Sequence, residues 1–214
     1  MKKKNILSIL LAISLCFVMT ACSTGPSAED LMKESVLGFF TNVKTGEFQK
    51  ALENVKESSS FNDELGKERY NEDTESGKAM IKILNDINDQ LTYEIKDVVV
   101  DEKDENKGTV TASVKFVDSE DFVKEFFGEV LIQAFSNWGE DVSEEEEDAQ
   151  LAKILEKVAE KEREVKYIEE DITINMVKDE ESWKIADIDD DLANAITGNL
   201  MKSFEEVEKA LEEE

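Results

Sequence analysis

The chain of 214 residues contains no histidine, one proline and two cysteines. Each shortage removes a class of chemistry. Without histidine there is no imidazole to serve as a base near neutral pH or as the commonest metal ligand. With Cys16 and Cys22 as the only thiols, a zinc cluster or a disulfide framework lacks ligands at workable spacing. Gly-x-Ser-x-Gly elbows, phosphate-binding loops and dinucleotide fingerprints are likewise missing from the sequence. Positive charge is scarce too: 25 Lys and Arg face 52 Asp and Glu, a formal net charge of −27. Such a field repels nucleic acid and anionic surfaces; it either makes basic proteins or divalent cations the plausible partners or simply keeps the domain soluble and standing off an anionic surface. No cofactor is expected.

The N-terminus opens with Lys2, Lys3 and Lys4, followed by an apolar run from Ile6 to Met19 broken only by Ser8, Ser14 and Cys16. A spanning helix needs about 20 apolar residues, so this shorter run reads as an export signal. Met19-Thr20-Ala21-Cys22 resembles the lipobox of bacterial lipoproteins, with Met19 where that pattern prefers Leu. The resemblance implies cleavage before Cys22, a diacylglycerol on its thiol, and an extracytoplasmic, lipid-anchored location at the cell membrane. Two or more acyl chains give stable anchoring. Cys16 would leave with the signal. A disulfide between the two cysteines is disfavoured, because positions six apart lie on different faces of a helical run. The expected organisation is a signal at 1–21, a lipidated end and tether at 22–28, and one acidic α+β domain at 29–214. Removing three lysines leaves 22 basic against 52 acidic residues, a balance of −30. Ser23 to Ala28 extends about 20 Å, which keeps the folded body near the membrane.

Hydrophobic residues make up 40% of the chain and include eleven Phe and two Trp, enough for a core despite the charge. From Ala28, Leu31, Ser35, Val36, Phe39, Phe40 and Val43 recur at helical spacing; Gly46 punctuates, and Phe48, Ala51, Leu52 and Val55 mark a second short helix. Ser58-Ser59-Ser60 reads as a loop. A polar stretch through Gly66 and Gly77 leads to a third helix lined by Met80, Ile81, Leu84 and Ile87. The period then becomes two. Tyr93 and Ile95 begin a strand that continues through Val98 to Val100 with a phase shift, and Val110, Ala112, Val114 and Phe116 form its hairpin partner. Ile172, Ile174 and Met176 pair with Trp183 and Ile185 as a second hairpin. Between the hairpins, about 119–164 is helical. Asp118 to Asp121 supply the start, Gly139 a break, and Ser143 with Glu144 to Asp148 a second start. Phe122, Val123, Phe126, Phe127, Val130, Leu131, Ala134, Phe135 and Trp138 make a wide apolar band. One last helix from about Asp190 turns Leu192, Ile196, Phe204, Val207 and Leu211 inward, and its end at Glu212 to Glu214 is adverse to the helix dipole. The expected fold is a curved antiparallel sheet of two hairpins packed on N-terminal helices, with a helical insertion and a C-terminal helix.

The segment GFFTNVKTGEFQKALENV (Gly38 to Val55), followed by hairpins that end in ESWKIADI, resembles the nuclear-transport-factor-2-like superfamily of α+β cones, and especially its Gram-positive lipoproteins. Where that family's turn before the strand Trp commonly has Gly, this chain has Glu180 and Glu181, and the insertion at 119–164 exceeds a compact member. The resemblance implies a sheet wrapped around the first helix, leaving a conical pocket that Phe39, Phe40, Tyr93, Phe116 and Trp183 would line. The alternative for these aromatics is ordinary core packing. Some enzymes of the superfamily use Asp and Tyr in the cone, a role Tyr93 and Asp97 would fill here. Asp187-Ile188-Asp189-Asp190-Asp191 begins like a calcium loop, yet Leu192 replaces the turn glycine and Gly198 stands at the twelfth position. A helix cap accounts for the same acids. The leading expectation is a membrane-anchored binding or scaffolding domain, with a divalent-cation-responsive surface protein and a pocket enzyme as alternatives.

Overall fold

A computed structural model describes residues 25–57, 73–138 and 142–212. Ser58 to Ser60, Gly66, Gly139, the side chain of Leu211, and Glu213 with Glu214, like Cys16 and Cys22, lie outside what is described. Helix α1 (Ala28–Lys44) is opened by a reciprocal cap. The Ser27 hydroxyl accepts the Asp30 N–H at 3.1 Å, and the Asp30 carboxylate accepts the Ser27 N–H at 3.2 Å. Its buried stripe is Met32, Ser35, Val36, Phe39, Phe40 and Val43. Gly46 then adopts φ 74°, and the chain turns into α2 (Phe48–Leu52). Helix α3 (Glu75–Asn88) follows, and its N-cap Thr74 accepts the Gly77 N–H at 3.0 Å. Gly77 is therefore inside the first turn rather than a break before it. The buried face is Ala79, Ile83, Leu84 and Ile87, rotated from the expected one so that Met80 and Ile81 are half-buried.

The four strands are β1 (Thr92–Val100), β2 (Lys107–Val117), β3 (Tyr167–Asp179) and β4 (Ser182–Ile185), antiparallel throughout in the order β1-β2-β3-β4. The sheet is not closed. Its long central pair, β2 with β3, runs in register from Lys107 opposite Val177 to Val117 opposite Tyr167. Alternate β2 residues Val110, Ala112, Val114 and Phe116 are buried against the helices. The expected phase shift in β1 is a bulge: Ile95 pairs with Ala112, Asp97 pairs with Thr111, and Lys96 is the extra residue. Val55 bridges Ile185 in parallel, so the tail of α2 covers the β4 edge.

Helices α4 (Glu120–Ser136) and α5 (Glu144–Ala159) connect the two hairpins, and α6 (Asp190–Thr197) and α7 (Leu200–Glu212) close the chain. The fold is thus α+β, with helices before and after an antiparallel sheet and a helical insertion within it. The last helix is two helices, not one. Gly198 and Asn199 are both left-handed, with φ of 62° and 61°. A Cβ on Gly198 would stand 2.4 Å from Ile87 Cγ2, so this turn is tightly packed. Asn199 Nδ2 donates to Asp118 Oδ1 at 3.0 Å, tying the turn to the start of α4.

Two apolar clusters result. One joins α1, Ala51, Val55, the inner face of the sheet and α6; the other joins α3, the first half of α4, α5 and α7. Phe126 sits centrally in the second, edge-on to Phe127 and Phe204 at ring distances of 5.9 and 6.0 Å.

Candidate interaction surface on helix α4

Helix α4 divides along its length. In its first half Phe122, Val123 and Phe126 are buried. In its second half the apolar band turns outward: Leu131 is 44% exposed, Ile132 63%, Phe135 69% and Trp138 82%. Gly128, Leu131, Ile132 and Phe135 stand three or four residues apart along α4 and so lie on one side of it, and Trp138 follows just past the helix end. Phe135 and Trp138 stack with ring planes 6° apart and centroids at 6.2 Å, so the two largest side chains form one plate. The sequence shows one wide apolar band here, and the structure splits it. Half of it is exposed, because α5 and α7 cover α4 on one side only.

The partners of α4 explain the division. Glu129 accepts from Lys157 of α5 at 2.6 Å, and this hydrogen bond holds the Glu129 carboxyl below the usual carboxylate range. Lys161 bridges to Glu125 at 3.2 Å, which raises the lysine's pKa. Nearer the end of α4, Gln150 Oε1 accepts from Gln133 Nε2 at 3.2 Å and Asn137 Nδ2 at 2.8 Å. These bonds fix the inner edge of α4 to α5. From Val130 to Trp138 the chain has no charged residue, and Ser136, whose hydroxyl donates to the Ile132 carbonyl at 2.8 Å, is the exposed polar residue among the outward apolar ones. Between the helices runs a groove of about 350 Å³, lined by Val130, Ala134, Val142, Glu147, Leu151 and Ile154 among others.

The start of α5 borders this groove. Ser143 and Glu146 form a reciprocal cap, and Glu144 to Glu147 occupy the first turn, where the helix dipole favours anions. All four are exposed. Asp148 points the other way and caps α3, accepting the Glu75 N–H at 2.8 Å and the Ser76 N–H and hydroxyl. The Ser76 hydroxyl is the main reason that the Asp148 carboxyl lies below its ordinary pKa, with the two N–H donors adding to it.

The residues expected to line a cone belong to the first apolar cluster. Phe39, Phe40, Phe116 and Trp183 are buried in it, and Tyr93 packs against it half-buried. Phe40 stacks on Tyr93 at 4.9 Å, and the Tyr93 hydroxyl lies 3.0 Å from Thr41 Oγ1. Tyr93 and Asp97 are not brought together. Tyr93 pairs with buried Val114 on the inner face, whereas the bulge leaves Asp97 opposite Thr111 on the outer face. There the Asp97 carboxylate accepts the adjacent Val98 N–H at 3.0 Å. In the acidic run before α6, Asp189 caps the helix by accepting the Leu192 N–H at 3.0 Å, and Asp187 accepts the Ile188 N–H at 3.1 Å. Among the described residues, no group of three or more Asp, Glu, Cys or His is placed to hold a metal ion, and no helix is long and apolar enough to cross a membrane.

The outward face of α4 was the feature least visible in the sequence. The available signal was width: Leu131, Ile132, Ala134 and Phe135 extend the apolar band beyond the single stripe that a half-buried helix needs, so part of it must face away from the core. Compared with known proteins, the chain matches no family model, no curated protein and no solved structure.

Proposed function

We propose that this chain is a membrane-anchored, extracytoplasmic binding domain of the nuclear-transport-factor-2-like kind, which engages a protein partner through the outer face of α4. The address rests on the lipobox-like Met19 to Cys22. The binding role rests on one observation, the contiguous apolar face of Leu131, Ile132, Phe135 and Trp138. Single exposed apolar side chains are ordinary, but a stacked aromatic pair within a continuous patch marks a docking surface. Aromatic side chains of this kind are also the usual anchors of binding energy at interfaces.

Two experiments test the two halves of the proposal. Alkyne fatty-acid labelling should mark the wild-type chain and fail on Cys22→Ala; equal labelling of both removes the anchor. In gently solubilised membranes the wild-type chain should sediment as a complex, from which the double variant Phe135→Asp, Trp138→Asp is released. A wild-type chain that sediments alone would remove the binding role.

A further inference from the structure

The charges around the α4 face narrow the kind of partner it takes. The nearest charged wall of the groove is Glu147, and Glu144, Glu145 and Glu146 stand exposed on the same first turn. Among the described residues, Glu144, Glu145 and Glu147 make no ion pair with the protein's own cations. Lys157 of α5 and Lys161 just past its end are occupied by Glu125 and Glu129 of α4. The groove therefore has an unneutralised carboxylate on its α5 wall, and its α4 wall carries Val130 and Ala134, the immediate chain neighbours of the exposed Leu131 and Phe135.

Three occupants could cover the α4 plate, and charge separates them. A second copy would bring its own glutamates to the rim and its own large excess of negative charge to the encounter, which Coulomb repulsion opposes. A bilayer surface suits helices whose apolar face is flanked by Lys and Arg, the reverse of this flank. A segment with its own apolar stripe bordered by lysines or arginines fits both features at once. Its apolar residues would lie along Leu131, Ile132 and Phe135 and enter the groove, while its cations meet the α5 glutamates. Gly128, whose absent side chain leaves open space at the head of the stripe, lets a partner helix approach the α4 backbone.

We infer that the outer face of α4 and the first turn of α5 form a docking site for a cationic amphipathic helix. This inference rests on the reading of α4 as a docking surface, and it adds the sign of the partner's charge. Apolar burial supplies the affinity, and the glutamates supply selectivity and steer the encounter.

The test uses the full acylated chain in phosphatidylcholine nanodiscs, with amphipathic Leu/Lys, Leu/Glu and Leu/Ser peptides as probes. Trp138 is the reporter, isolated by subtracting the emission of Trp138→Phe, since the chain has two Trp. The Leu/Lys peptide should shift Trp138 emission to the blue and protect it from acrylamide, and the Leu/Glu peptide should not. Glu144→Gln, Glu145→Gln and Glu147→Gln together should weaken Leu/Lys binding about tenfold and flatten its salt dependence. Phe135→Asp should abolish it. Equal binding of all three peptides overturns the charge assignment while leaving α4 a docking face. No binding of any peptide to the folded chain, or full binding by Phe135→Asp, overturns the docking face as well. Quenching of Trp138 by brominated phosphatidylcholine without peptide makes the bilayer the occupant and overturns the inference.

Discussion

Glu180 is the first residue of the two-residue turn between β3 and β4, and its φ is 54°. A side chain in this left-handed region costs about 1–2 kcal/mol, part of which glycine would return as unfolded-state entropy. Glu180→Gly should therefore stabilise the protein by about 1 kcal/mol in urea denaturation. The missing glycine does not prevent the hairpin: Trp183 still pairs with Lys178, and Ile185 with Met176. Gly198 is the opposite case. Its left-handed φ and its packing on Ile87 both exclude a side chain. Gly198→Ala should cost about 2–4 kcal/mol, the sum of backbone strain and overpacking. An unchanged denaturation midpoint would show that the α6 to α7 turn is looser than described. These two positions also mark what sequence reading could reach. A polar cap such as Ser143 announces itself by residue type, whereas left-handed Glu180 does not. Gly198 was visible, but only in its negative role against a calcium loop.

At the level of elements, the periods of α1, β2 and the β3 to β4 hairpin were legible because each buries one face, and burial of one face writes itself into spacing. Helix α4 was not fully legible, since an apolar residue at helical spacing looks the same whether the neighbour that covers it is in this chain or absent from it. The two halves should answer mutation differently. Phe126→Ala opens the second apolar cluster and should cost about 3–5 kcal/mol, while Phe135→Ala on the exposed face should stay within about 0.5 kcal/mol of wild type. Equal losses in thermal unfolding would mean that both halves are buried. The Asp148 link between α5 and α3 was also out of reach, because the partners lie far apart in sequence. Its carboxyl is held below the ordinary value by donors that exist only in the fold. The stabilisation is therefore in place above the unfolded carboxyl's pKa and drains away as pH falls through the folded one. Asp148→Asn should melt earlier at neutral pH, and the gap to wild type should close on acidification. A gap that stays constant with pH would place the contribution in packing instead of charge.

For the whole molecule, composition indicated a soluble, acidic, disulfide-free body, and the two hairpins with their helical insertion gave the α+β class. Division into two apolar clusters was not evident, because α3 belongs by sequence to the N-terminal helices yet packs with α4, α5 and α7. The cone-like resemblance directed attention to Phe39, Phe40, Phe116 and Trp183, which lie in the first cluster. The surface that best accounts for a binding role lies elsewhere, at the far end of the helical segment between the two hairpins. In the free protein, the end of α4 leaves an aromatic plate uncovered. Hydroxyl-radical footprinting of the purified, acylated chain, read by mass spectrometry, tests this directly. Trp138 and Phe135 should oxidise much faster than Trp183, which is 5% exposed, and than buried Phe40. Protection of Trp138 equal to that of Trp183 would contradict the account.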